Sequence, residues 1–190
     1  MYQLVVGVGN PGPEYHHTRH NIAWMLMDAC SAFRSANWKS KFKGLYTEAS
    51  HKGHKFYGLK PMTFMNLSGE SVQPMAAFFK IDPSQILVLH DEVDLPFGQV
   101  HFKIGGGLAG HNGLKSISAL LGTNDYARMR IGIGKPVHGN MSAHVLGQFS
   151  KEEQIHLALL LEKLNDPLLS SVVDGITKIA TTYNKKDLLA

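Results

Sequence analysis

The run QILVLHDE, Gln85–Glu92, decides how the chain reads. Ile86–Leu89 is unbroken aliphatic, without the alternation of a strand that keeps one face in water. Gln85–His90 therefore reads as a central strand buried on both faces. It ends on His90, Asp91 and Glu92, and α/β sheets commonly place their sites at the C-terminal ends of strands.

Working outward, Tyr2–Val8 is a β-branched apolar run that stops at a Gly/Pro cluster, a strand followed by a turn. Asn21–Ala36 carries Ile22, Trp24, Leu26, Met27, Cys30 and Phe33 as a helical stripe. Leu45–Ala49 and Lys55–Leu59 suggest a hairpin, and Leu67–Phe79 a helix starting near Ser68, with Pro74 a strain or a boundary. Downstream, Gln99–Ile104 and Ala127–Ile133 read as strands and His111–Leu121 as a helix. Lys151–Leu164 and Leu168–Asn184 look like two helices joined by the breaker Asn165-Asp166-Pro167. Strands interleaved with helices predict an α/β domain with a largely buried mixed sheet, and 190 residues suit one domain.

Composition narrows the class. Apolar residues make up 44% and charged residues 18%, a globular balance. The lone Cys30 excludes an internal disulfide and a multi-thiolate zinc site, and its apolar surroundings predict a small core residue. No apolar run approaches the ~18 residues of a membrane span and no leader pattern opens the chain, so a soluble cytoplasmic protein without membrane association is expected. Net charge is +4. Seven Lys/Arg and a single acid, Glu48, lie between Arg34 and Lys60. That stretch fits a polyanion and a plain solvated face equally well.

Two motifs tempt and fail. Gly7-Val-Gly-Asn-Pro-Gly12 matches G-x-G-x-x-G, but a dinucleotide site needs a helix to start within the glycines. Pro11 removes an N–H there, and Gly12-Pro13 breaks the chain again. Gly105–Gly110 has P-loop spacing but is followed by His111-Asn112 instead of Lys-Ser/Thr, so the phosphate lysine and the Mg²⁺ hydroxyl are both missing.

No G-x-S-x-G elbow occurs, which leaves general-base chemistry on water. His20 sits between a Gly/Pro turn and the first helix, and Asp91 could hold one of its nitrogens while the other takes a proton. Asn10, Asn66 and Asn112 lie at a turn, before a helix and after the glycine loop. Each offers an uncharged donor and acceptor suited to a water, a peptide amide or an oxyanion. Each also has an ordinary explanation, as a satisfied histidine, a turn aspartate or a capping asparagine. His16-His17-x-x-His20 and His90-Asp91-Glu92-x-Asp94 contain metal-ligand types but lack an H-E-x-x-H helix, so no required metal is expected. The residues by themselves lead as far as a hydrolase.

Five ordered stretches carry more. GVGNPGPEYHHTRHN (Gly7–Asn21), KPMTFMNLSG (Lys60–Gly69), HDEVDLPFG (His90–Gly98), FKIGGGLAGHNGLKS (Phe102–Ser116) and RMRIGIGKP (Arg128–Pro136) together resemble the bacterial peptidyl-tRNA hydrolase family, from Leu4 to about Gly134. The resemblance implies a single α/β globule, a twisted mixed sheet flanked by helices on both sides, usually monomeric. It implies hydrolysis of the ester between a nascent peptide and the 3′ end of tRNA, without cofactor. His20 then corresponds to the general base and Asp91 to its orienter, with Asn10 and Asn112 as donors around the scissile carbonyl and its water. Tyr15, Met65, Asn66 and His111 correspond to substrate-binding positions. Lys103 and Arg130 correspond to the clamp on the 5′-terminal phosphate of the acceptor stem.

One departure stands out. The family loop commonly reads GGGHGGHNG, whereas here Leu108-Ala109 precede Gly110-His111-Asn112. An apolar pair at a polar, flexible position either stiffens the loop or alters its contact with substrate. Two other readings compete with the esterase: a non-catalytic RNA-binding module, which needs none of the His/Asp/Asn set, and a general carboxylesterase or peptidase, which lacks a nucleophile motif.

Overall fold

The computed structural model describes residues 1–190. In chain order the strands are β1 (Leu4–Gly7), β2 (Lys39–Lys41), β3 (Gly44–His51), β4 (His54–Pro61), β5 (Ile86–Glu92), β6 (Val100–Ile104) and β7 (Ala127–Gly132). The helices are α1 (Ile22–Ala29), α2 (Gly69–Phe78), α3 (Asn112–Leu121), α4 (Met141–Val145), α5 (Lys151–Asp174) and α6 (Ile176–Tyr183). All seven strands form one mixed sheet in the order β2-β3-β4-β1-β5-β7-β6. β5 pairs in parallel with β1 and β7, so it is central as its sequence predicts.

Side-chain alternation divides the core between the two faces. Val5, Leu87 and Leu89 join the cluster built with Ile22, Leu26 and Met27 of α1 and Leu160, Leu164 and Leu168 of α5. Leu4, Val6, Ile86 and Val88 join the other, with Val72 and Met75 of α2 and Leu114 and Ile117 of α3. Each of these aliphatic chains contributes about 1.5–3 kcal/mol by burial. The unbroken run Ile86–Leu89 is the sequence record of a strand covered on both sides.

Several boundaries differ from the expectation. The first helix stops at Ala29 rather than Ala36, because Cys30 turns extended (ψ 132). Ser31 N then donates to Asn165 Oδ1 at 2.8 Å. Cys30 and Phe33 are buried all the same, and Phe33 fills the space that Gly58 leaves over β4, where a Cβ would come within 2.6 Å of its ring. The proposed break at Asn165-Asp166-Pro167 is absent: α5 runs through Pro167 to Asp174. An interior proline costs about 3 kcal/mol, but Leu164, Pro167, Leu168 and Leu169 are all buried on this stretch, and that packing outweighs the lost hydrogen bond. The chain breaks instead at Gly175, whose φ of 83° suits glycine. β2 and α4 were not anticipated. Both are short, and neither carries a periodic apolar signal.

Candidate active site

The strand end of β1 and the loop that follows it build one wall. Trp24 of α1 lies beneath the turn, its Nε1 donating to Gly7 O at 2.7 Å. A Cβ on Gly9 would come within 2.7 Å of the indole, so the backbone approaches this closely only as glycine. Asn10 is then clamped to the fully buried Asn21. Asn10 N donates to Asn21 Oδ1 and Asn21 Nδ2 donates to Asn10 O, both at 2.9 Å. Met65 N donates to Asn10 Oδ1 at 2.7 Å. With its oxygen taken, the Asn10 amide keeps its N–H₂ group for the cleft.

At the end of β5, Asp91 is shared by two imidazoles. His20 Nδ1 lies 2.8 Å from Asp91 Oδ2, and His111 Nε2 lies 2.8 Å from Asp91 Oδ1. Burial pushes the Asp91 carboxyl up, but the attraction and hydrogen bonds of His111 and His20 outweigh it and hold the group well below the ordinary carboxylate range. An ionised carboxylate only accepts, so both facing ring nitrogens carry the proton. His111 Nδ1 in turn accepts from Gly113 N at 3.2 Å and Leu114 N at 3.4 Å, capping α3. His20 Nε2 makes no hydrogen bond within the protein, and the residue lines the cleft. A lone pair there is available to a water.

Behind them His90 is buried, its ring 5.1 Å from that of His111. Its Nδ1 donates to Asp91 O at 2.8 Å, while Nε2 has no partner. Burial above all, and then the neighbouring His111 ring, pushes the His90 imidazole down to about 3. It is neutral in the folded protein.

These groups open onto a cleft of about 410 Å³ lined by Asn10, His20, Met65, Asn66, Asp91, His111 and Asn112. Asn66 and Asn112 are exposed, and Asn112 opens α3. The opposite wall is α4, with Met141, Ser142, Val145 and Leu146 in the lining. His144 Nε2 ties α4 to Gly134 O at 2.9 Å, and Arg19, adjacent to His20, reaches His144 O at 3.4 Å and Glu153 at 2.8 Å. None of these wall residues was identified from the sequence. Tyr15 is half-buried in the turn Pro13–Tyr15 and is not among the residues lining this cleft.

The glycine loop is pinned from below. Arg128, buried on β7, donates to Gly107 O at 3.1 Å and to Gly105 O. Leu108 is half-buried against the α2/α3 cluster, and Ala109 lines the cleft with a left-handed φ of 50°. The apolar departure in this loop thus serves as an anchor and carries backbone strain.

Lys103 and Arg130 lie to the side of the cleft. The α2/α3 apolar cluster does not extend over β6 and β7 beyond Tyr126. There, alternation places His101 and Lys103 of β6 with Arg128 and Arg130 of β7 on one face, a basic strip beside the cleft. Lys103 is exposed. Arg130 is partly exposed, its Nε donating to buried Glu92 Oε2 at 3.0 Å.

His20, Asp91 and His111 are also the one group of potential metal ligands that the fold brings together. Both Asp91 oxygens already accept N–H groups and His111 Nδ1 accepts two backbone N–H groups. Only His20 Nε2 remains free, so a metal would have to displace protons already in hydrogen bonds. The set is built for hydrogen bonding.

The family model described as peptidyl-tRNA hydrolase matches residues 4–189, past Gly134 and through the helical tail. The peptidyl-tRNA hydrolase of Geotalea uraniireducens is 46% identical over 188 residues, covering 98% of each chain. That of Bdellovibrio bacteriovorus is 45% identical over 184 residues, covering 95% of this chain and 98% of its own. The crystal structure of peptidyl-tRNA hydrolase from Acinetobacter baumannii superposes with a TM-score of 0.89 at 35% identity, covering 98% of this chain and 96% of that one. The chain belongs to the peptidyl-tRNA hydrolase family.

Proposed function

We propose that the chain carries out its family's reaction, hydrolysis of the ester between a peptide and the 3′-terminal ribose of tRNA, with His20 as general base. The observation that carries this is the His20–Asp91 pair. Asp91 holds the Nδ1 proton and leaves Nε2 as the basic nitrogen in a cleft. His20 Nε2 takes a proton from water as the water attacks the ester carbonyl, and returns it to the departing ribose oxygen. The Asn10 N–H₂ group, fixed through its oxygen, and Asn112 stabilise the oxyanion or hold the water, a contribution of about 3–4 kcal/mol for one well-placed donor. Asn66 and Met65 bind the peptide backbone, and His111 braces Asp91. Tyr15, outside the cleft lining, serves near the 3′ end only as an approach surface. Lys103 and Arg130 grip the 5′-phosphate of the acceptor stem from the basic strip. The site is complete within one chain, which supports action as a monomer, and no helix is long and apolar enough to cross a membrane. We place the activity in the cytoplasm, where tRNA is recycled, and without a metal.

The test compares an N-acetyl-aminoacyl-tRNA with its free-amine form, each with and without exhaustive chelation. Fast turnover of the blocked ester alone, weakened by salt and indifferent to chelator, is expected. Equal cleavage of small neutral esters, insensitive to salt, contradicts the reading.

A further inference from the structure

We infer that Glu92 is a positioning residue that orients Arg130 for the tRNA phosphate, an inference that rests on the phosphate-clamp reading above. On the face shared by β5, β6 and β7, alternation brings together His90 and Glu92, Arg128 and Arg130, and His101 and Lys103. Glu92 is the one acid among them, and it is 3% exposed. A buried carboxylate inside a basic strip lowers its affinity for an anion and carries a desolvation cost, so packing alone does not account for it. Its bonds give the reason. Oε1 accepts Asp94 N at 3.1 Å, which anchors the carboxylate to the turn after β5. Oε2 accepts Arg130 Nε at 3.0 Å.

That choice of nitrogen matters. A carboxylate that took both terminal nitrogens of Arg130 would consume the fork that recognises phosphate. By holding Nε, Glu92 fixes the guanidinium plane, and the two terminal nitrogens make no hydrogen bond within the chain. Neighbouring acids take other partners: Asp91 takes His20 and His111, and Asp94 pairs with Lys135 at 2.8 Å. Glu92 also lines the cleft, so it lies between the hydrolytic centre and the proposed phosphate grip.

The experiment measures kcat/KM on N-acetyl-aminoacyl-tRNA carrying a 5′-monophosphate or a 5′-hydroxyl, for wild type, Glu92→Gln, Arg130→Met and Arg130→Lys. Wild type should prefer the phosphorylated substrate by about tenfold, the scale of one charge-assisted contact. Arg130→Met should abolish that preference. Glu92→Gln should lose most of it through KM, with kcat and the 5′-hydroxyl substrate within about twofold of wild type. Arg130→Lys, which keeps the charge but has no Nε to be held, should behave like Arg130→Met. Full preference in Glu92→Gln or in Arg130→Lys overturns the role of Glu92. So does an equal loss on both substrates, the mark of a merely structural residue. Retention of the preference by Arg130→Met overturns the clamp reading itself, and the inference with it.

Discussion

His20 Nδ1 stands 2.8 Å from Asp91 Oδ2, and that carboxylate faces a second imidazole at the same distance through its other oxygen. One buried anion therefore dictates the tautomer of two histidines. His20 is left with a basic nitrogen in the cleft, and His111 with an acceptor turned to the first N–H groups of α3.

Asp91→Asn should lower kcat by about 10²–10⁴-fold with little loss of tRNA affinity. An amide has a single carbonyl oxygen for two N–H donors, so one imidazole must flip or lose its partner. Steady-state kinetics with a parallel binding titration checks this. A kcat within threefold of wild type contradicts it.

Asn21→Ala should act at a distance on Asn10. It removes both bonds that hold the Asn10 backbone and leaves buried polar groups unpaired, a cost of about 1–3 kcal/mol in stability. If Asn10 acts through the direction of its N–H₂ group, kcat should fall about tenfold while KM moves little. Denaturant melts and kinetics on the same preparation separate the two effects.

His90→Gln should flatten the acid side of the stability curve. The folded imidazole is held down to about 3, against an ordinary value of 6.5. The unfolded chain therefore binds the extra proton first. The stability is fully present above pH 6.5 and is lost as pH falls toward the folded value, on the order of 3–5 kcal/mol across that span. The depressed Asp91 group adds its own loss only below the ordinary carboxylate range. Urea melts between pH 7 and pH 4.5 should show a smaller fall for His90→Gln than for wild type. Parallel curves contradict the assignment.

Ala109→Gly should raise stability. Ala109 holds a φ of 50°, where an L side chain costs about 1–2 kcal/mol. Relief of that strain, less the entropy glycine gains in the unfolded chain, leaves about 0.5–1 kcal/mol. For a chain of this length that is roughly 1–4 °C in Tm. A lower Tm contradicts it.

What the sequence revealed depended on how local the signal was. The run Ile86–Leu89 announced a two-faced strand because burial on both sides erases alternation, and Pro11 dismissed the nucleotide motif because one missing N–H decides it. The structure likewise brings His20, Asp91, Asn10 and His111 within one cleft; residue chemistry suggested the His20–Asp91 pair, and the family resemblance added Asn10 and His111 to it. Other features depended on partners remote in the chain. Pro167 read as a breaker because the sheet that buries its neighbours is invisible locally. Asn21 looked like the first residue of a helix, and only the fold shows it bonded to Asn10. Glu92 gave no signal beyond its place beside Asp91, since its partner Arg130 lies 38 residues away. The α4 wall is only five residues long and buries none of them, so no periodicity marked it.

The most direct measurement of the central claim is single-turnover hydrolysis of N-acetyl-aminoacyl-tRNA by His20→Ala, with tRNA binding measured alongside. Asn21 and Met65 hold Asn10 independently of the imidazole, so the cleft should survive the substitution. Cleavage should fall by at least about 10²-fold while binding stays within about threefold. Cleavage within a few fold of wild type would show that His20 is not the base.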